Sequence, residues 1–309
     1  MPEGHTVHRV ARLFSDIFVG HPLQASSPQG RFSSGAAMVS GRHLVRSQAK
    51  GKHLFLGFDN HATIRVHLGI YGAWDVITNP DNLPAVTSGL ASLGAPRASR
   101  RRLAEKEGVA DQVGVFPPDP IGQVRLRLAT NQAVADVRGP TACEVLTPEE
   151  TEQVLARLGP DPLVDSGKKG QNDFVSRVLK TSRPIGIVLM DQSVVSGIGN
   201  VYRAEILFRH GIDPYQPAKT LGEDLAVALW KDWSVLLADG VKTGVMLTRN
   251  DMDKALRAKA LRSGRERYFV YKRQGQSCRV CRSLVSMAVM ANRKLYFCPL
   301  CQSGTNGRT

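Results

Sequence analysis

Four of the five cysteines form two Cys-x-x-Cys clips, Cys278/Cys281 and Cys298/Cys301, separated by sixteen residues. Each clip puts two thiolates on one knuckle. Two knuckles joined by a hairpin can close a tetrahedral four-thiolate site, which leaves no open coordination position and makes a bound zinc ion structural. A redox dithiol or chance spacing are the alternatives, but redox pairs usually come singly in a βαβ setting. Between the clips, Ala288–Phe297 reads as two strands with Asn292 near the tip, leaving Arg293 and Lys294 to reach a partner. A zinc-braced basic hairpin suits a phosphate. Cys143 stands apart and is expected to be a small buried residue.

The charge distribution points the same way. Of the net charge of +14, residues 242–309 supply +12, with 15 Lys and Arg against Asp251, Asp253 and Glu266. A polyanion is the expected partner, nucleic acid before an anionic membrane. At 309 residues and 42% hydrophobic, the chain can bury more than one core and is expected to form more than one domain. No stretch approaches the roughly 18 apolar residues of a membrane span, and the N-terminus lacks a signal-peptide layout. A soluble, cytoplasmic, nucleoid-associated protein with no membrane partner is expected.

Along the chain, Val7, Val10, Ala11, Phe14 and Phe18 have helical spacing, so a helix follows the first residues directly. Lys52–Phe58, Ala62–Leu68 and Gly72–Thr78 read as antiparallel strands, with further strands at 124–130 and 132–137. Residues 79–123, rich in Pro, Gly and Ser, read as a mobile insertion. Thr147-Pro148-Glu149-Glu150 has the threonine cap, first-turn proline and capping-box glutamate of a helix start. Helical patterns resume around 171–182, 185–192, 200–209 and 221–239. Residues 248–267 are polar and basic, and read as a loop or linker.

Three further features have chemical potential. Removing Met1 would leave Pro2 as an N-terminal secondary amine next to Glu3. An α-amine titrates near pH ~8 rather than the ~10.4 of lysine, so a useful fraction is nucleophilic near neutrality. Attack on a sugar's anomeric carbon would give an iminium, with the carboxyl group moving protons. Next, Ser193–Asn200 is a glycine-containing junction opening a helix, suited to a phosphate or equally to a tight turn. Finally, Lys52 starts a strand and His67 ends one; each on its own reads as a surface group.

Together these pieces resemble the Fpg/Nei DNA glycosylases. The likeness rests on Met1-Pro2-Glu3-Gly4, Gly51-Lys52, His67-Leu68-Gly69-Ile70-Tyr71-Gly72, the Val195–Phe208 segment and the zinc hairpin with Arg293 five residues before Cys298. These motifs span nearly the whole chain in the family's order, and the Pro-Glu-Gly start together with His67-Leu68-Gly69-Ile70-Tyr71-Gly72 most resembles the endonuclease VIII (Nei) branch in its actinobacterial form.

The resemblance implies an α+β multidomain fold: an N-terminal antiparallel β-sandwich with an N-terminal helix over 1–146, a helix–two-turn–helix domain over 147–247, the basic linker 248–267 and a zinc-finger β-hairpin over 268–309. It implies a bifunctional DNA glycosylase/AP lyase of base excision repair. Pro2 would form the Schiff base, Glu3 would act as general acid/base, and Lys52 would hold a phosphate and assist proton transfer. Asn200 and Arg293 would clamp phosphates flanking the lesion, and His67 would contact a further one. Ile70 and Tyr71 would fill the gap left by the flipped base. The expected partner is double-stranded DNA carrying a damaged base or abasic site, with single-stranded DNA as a second candidate, bound by a monomer. Oxidised pyrimidines are the expected lesion. An oxidised-purine preference, or a zinc-dependent damaged-DNA binder without catalysis, are the alternatives. His5 and Thr6 depart from the family pattern, which commonly places a second Pro-Glu there.

Overall fold

The computed structural model describes residues 2–79, 101–103 and 116–303, and the chain divides into two compact units, Met1–Arg157 and Leu158–Thr309. In the first unit, helix α1 (Gly4–Phe18) carries its apolar residues at the predicted spacing and buries them. Phe14, fully buried, packs edge-on against Phe18 and Trp74, with ring centroids 5.1 and 4.8 Å apart.

The strands are β1 (Pro22–Ser26), β2 (Arg42–Lys50), β3 (His53–Phe58), β4 (Thr63–His67), β5 (Ala73–Thr78), β6 (Arg101–Leu103), β7 (Val124–Ala129), β8 (Ala133–Arg138) and β9 (Ala142–Leu146), with the short helix α2 (Ser33–Val39) after β1. They hydrogen-bond in the order β6-β5-β8-β7-β1-β2-β3-β4-β9, every pairing antiparallel. Strand β1 joins the two halves. Leu54, Leu56, Ile64 and Val66 from one half share a single core with Trp74, Val76, Leu126, Leu128 and Val137 from the other, together with α1 and α2. That shared core makes the bonded ribbon a sandwich, because each half buries one face against the other.

Helix α3 (Pro148–Arg157) starts at the predicted capping box: Thr147 N–H donates to Glu150 Oε2 at 2.9 Å, and Glu150 N–H donates to Thr147 Oγ1 at 3.2 Å. It lies against β9 within the first compact unit. Of the insertion expected at 79–123, residues 80–100 and 104–115 lie outside the described residues. Within it, Arg101–Leu103 pairs with β5 as a strand.

The second unit holds α4 (Lys168–Leu179), α5 (Ile185–Val188), α6 (Asn200–Arg209), α7 (Glu223–Thr243), α8 (Lys254–Arg262) and the hairpin β10 (Ser286–Met290)/β11 (Arg293–Phe297). Tyr202 and Trp233, both fully buried, meet at 4.7 Å in the helical core. The expected basic loop at 248–267 instead contains α8. Asp253 caps it, accepting from Leu256 N–H at 2.7 Å, and Arg267 donates to the carbonyls of Ala260 and Leu261 at its end. No apolar stripe announces this helix, since Ala260 is its one buried residue. Among the described residues no helix is long and apolar enough to cross a membrane.

Candidate active site and nucleic-acid interface

The two N-terminal residues proposed for covalent chemistry are held, as their position before a core-packed helix requires. Pro2 is buried, and Glu3 is 0% exposed as the N-cap of α1, with extended backbone at φ −119° and ψ −179°. The next turns are also polar and buried, at His5, His8 and Arg9. His5 Nε2 lies 3.3 Å from Thr6 Oγ1. Burial, then Arg9, push the His5 imidazole down to about 3, so it is neutral across the physiological range.

Lys52 and His67 come together by strand register. Residues Gly51 and Lys52 form the two-residue turn between β2 and β3, closed by the pair Lys50 and His53, with Gly51 at φ +60°. His53 in turn pairs with His67 across β3 and β4, and their rings lie 4.7 Å apart. Burial lowers His53 to about 3, helped by His67, Arg65 and Lys52. It lowers His67 to about 4, helped by Lys52 and Arg65. The result is a cationic patch with two neutral imidazoles, an arrangement suited to an anion. Nothing about His53 in the sequence marked it beyond its place next to Lys52.

Directly after His67 the chain turns tightly, with Gly72 N–H donating to the Leu68 carbonyl at 2.9 Å. Gly69 has φ +65°, and a Cβ there would lie 1.8 Å from Thr141 Oγ1, so only glycine fits. The turn displays Ile70, 41% exposed, and Tyr71, 88% exposed. Two large side chains are thus held out to solvent on a tight turn among the described residues.

In the second unit, the Gln192–Asn200 junction is pinned by Gln192, whose amide donates to Met190 and Ile198 carbonyls and accepts from Gly197 N–H. Helix α6 begins at Asn200 with no side-chain cap at Gly199. Asn200 Nδ2 donates to the Lys294 carbonyl at 2.8 Å. The fully buried Arg203 donates to Asn200 Oδ1 and, at 3.1 Å, to the same Lys294 carbonyl. Asn200 and the hairpin residue next to Arg293 are thus bonded directly. Arg293 itself follows the two-residue turn Ala291-Asn292, whose φ values of +48° and +58° turn β10 sharply into β11.

Below the hairpin, the Sγ atoms of Cys278, Cys281, Cys298 and Cys301 lie within 4.8 Å of one another. Four convergent thiols fit tetrahedral zinc, and Ser283 Oγ adds contacts of 3.0 and 3.1 Å to Cys281 and Cys298. Two staples missed in the sequence tie this module to α6 and to the turn after it. Glu205, fully buried, accepts from Phe269, Val270 and Tyr271 N–H, and Gln302 bridges Cys298 N–H to the Ile212 carbonyl.

Comparison with known proteins places these features. Residues 1–140 match the Formamidopyrimidine-DNA glycosylase N-terminal domain, 158–251 the Formamidopyrimidine-DNA glycosylase H2TH domain, and 275–304 the zinc finger found in FPG and IleRS. Endonuclease 8 1 of Mycobacterium tuberculosis is 39% identical over 304 residues, covering 98% of this chain and 100% of the relative. The chain belongs to the Fpg/Nei family of DNA glycosylases. Members of this family are base-excision-repair enzymes with AP lyase activity, and the four-cysteine site is a structural zinc finger. The Formamidopyrimidine-DNA glycosylase of Laribacter hongkongensis is 27% identical over 97% of this chain and 95% of its own. The same fold occurs in MutM (FPG) from Thermus thermophilus, with TM-score 0.67, 21% identity and coverage of 98% and 99% of the two chains. It recurs in Lactococcus lactis Fpg complexed with abasic-site DNA, with TM-score 0.67, 19% identity and coverage of 97% and 99%.

Proposed function

We propose that this Fpg/Nei enzyme excises oxidised bases, pyrimidines in preference to purines, from double-stranded DNA as a monomer, through a Schiff base at Pro2. The observation that carries the reading is Glu3, completely buried at the start of α1 beside the proline that Met1 removal exposes. A buried carboxyl group is well suited to hold and return a proton beside a nucleophilic amine.

The Pro2 nitrogen lone pair attacks C1′, and the base departs with the electrons of the glycosidic bond. The attacking nitrogen then gives up its proton. Protonation of O4′ by Glu3 opens the sugar ring and leaves a C1′ iminium to Pro2. The iminium acidifies the C2′ hydrogen. Its loss expels the 3′ phosphate by β-elimination, and a second elimination expels the 5′ phosphate. Lys52 and His67 hold a phosphate near this centre and Lys52 assists proton transfer. Asn200 and Arg293 grip the flanking phosphates, while Ile70 and Tyr71 occupy the space of the extruded nucleotide. The pyrimidine preference is supported by the fuller identity to Endonuclease 8 1 than to the formamidopyrimidine enzymes.

Borohydride reduction of the enzyme on abasic-site DNA should leave a covalent adduct whose DNA-bearing peptide begins at Pro2. An adduct at another residue, or none, would overturn the mechanism. Glu3→Gln should slow ring opening, and with it formation of the trapped adduct, by roughly a hundredfold or more. Faster release of an oxidised purine than of an oxidised pyrimidine from matched duplexes would reverse the lesion assignment.

A further inference from the structure

Among the described residues, nothing pairs with the outer edge of strand β10. Its inner side pairs with β11 in unbroken register, Ser286 with Phe297 through Met290 with Arg293. The Lys294 carbonyl of β11 is taken by Asn200 and Arg203 of α6. No hydrogen bond among the described residues joins β10 to anything but β11. Natural sheets guard such edges with lysine, proline, bulges or a covering element. The sequence Ser-Met-Ala-Val-Met supplies none of the first three.

Its side chains fit a docking edge. Met287 is 42% and Val289 70% exposed, and two-residue spacing sets both on one side of the strand. The module's own segment has one sign of charge: residues 267–303 contain seven Lys and Arg and no Asp or Glu, although Arg279 is paired with the preceding Glu266. Lys272, Arg282 and Lys294 are exposed.

We propose that β10 is a docking site for an extended acidic segment of a partner protein, which adds as a third strand. Main-chain bonds to the open edge supply affinity. Alternate apolar side chains of the segment lie against Met287 and Val289, and its carboxylates face the cationic rim. Charge selects this occupant over a second copy of the chain, which would bring the same cationic module to the contact. Duplex DNA has no strand edge to offer.

The test uses full-length, zinc-loaded protein and a fluorescein-labelled ten-residue peptide alternating Glu with Val, followed by fluorescence anisotropy. Binding should weaken about tenfold or more when alternate peptide amides are N-methylated, because the edge bonds are then lost. It should weaken similarly when Glu is replaced by Lys. The Met287→Lys/Val289→Lys variant should lose peptide binding while keeping its zinc and its borohydride-trapped adduct. Equal binding by the N-methylated peptide would overturn the proposal, as would failure of the acidic peptide to bind. A concentration-dependent dimer abolished by the lysine variant would assign the edge to a second copy instead and equally overturn it.

Discussion

Glu205 offers the most direct test of how the zinc-hairpin module is held to α6. Its Oε1 accepts from Val270 and Tyr271 N–H, both at 2.8 Å. Its Oε2 accepts from Phe269 N–H at 2.8 Å and from the Thr248 hydroxyl at 2.6 Å. The carboxylate is fully buried, so none of these donors has water as a ready substitute. Glu205→Gln keeps the shape but must point an amide N–H₂ at one pair of donors. The less costly choice faces Thr248, whose hydroxyl can accept and turn to the Arg267 carbonyl 3.1 Å away, stranding Phe269 N–H alone. One buried unsatisfied donor costs about 1–3 kcal/mol, and the remaining bonds lose charge assistance, so roughly 3 kcal/mol is expected. Glu205→Ala strands three backbone donors and should cost roughly 5 kcal/mol or unfold the unit.

The measurement is urea unfolding followed by tryptophan fluorescence in a Trp74→Phe background, which leaves Trp230 and Trp233 reporting on the second unit. Zinc release during the same titration reports on the finger. A Glu205→Gln midpoint corresponding to less than about 1 kcal/mol would refute the reasoning, because it would mean that the buried N–H groups find other acceptors.

Arg293→Ala should weaken DNA binding and reduce the slope of log affinity against log salt by about 0.9, one phosphate contact; an unchanged slope removes Arg293 from the interface. A double-mutant cycle of Asn200→Ala and Arg293→Ala should show a coupling of about 0.5–3 kcal/mol in DNA binding, since both residues depend on the chain at Lys294; strict additivity would separate them. His53 and His67 have lowered folded-state values, so the unfolded chain binds more protons and stability is lost as pH falls below about 6.5. At pH 5 one such histidine should cost the first unit on the order of 2 kcal/mol, and an unfolding midpoint that does not move between pH 7.5 and 5 would contradict this. Removing zinc with a chelator should loosen the hairpin and lower DNA affinity, whereas full binding by metal-free protein would contradict a structural ion.

Features specified by neighbouring residues were legible in the sequence. The helix start at Thr147, the two cysteine clips, the hairpin around Asn292 and the apolar face of α1 all depend on spacings of a few residues, and each forms as expected. Features specified by distant partners were not. Strand β1 fully buries Leu23 alone, with Ala25 half-buried against the core, and α2 is seven residues with two buried, too few for a period to emerge. Helix α8 is fixed by Asp253 and Arg267 at its ends and by the Arg257–Asp239 ion pair, none of which leaves an apolar pattern. In the candidate site, Glu205 looks like an ordinary helical glutamate until Thr248 and the 269–271 backbone arrive from 43 to 66 positions away. His53 had one weak signal, its place next to Lys52.

The missed residues share a physical cause. The segment after α8 is too small to build much of a core, and what it has is the cluster of Phe269, Val270, Val285, Tyr296 and two of the cysteines against Ala204 and Phe208 of α6. Such a module needs staples. Zinc closes it internally, but zinc alone does not orient it. Orientation comes from Asn200 and Arg203 on the Lys294 carbonyl, Glu205 on the 269–271 backbone and Gln302 on the Ile212 carbonyl, which fix it to α6 and the turn that follows. Buried polar groups are a costly way to join two elements, yet they set direction where apolar contacts do not. The consequence is that the start of α6 and the tip of the hairpin, which carry the two proposed phosphate contacts Asn200 and Arg293, move as one body. Their spacing is set before DNA arrives, so the grip on the backbone costs little reorganisation at binding.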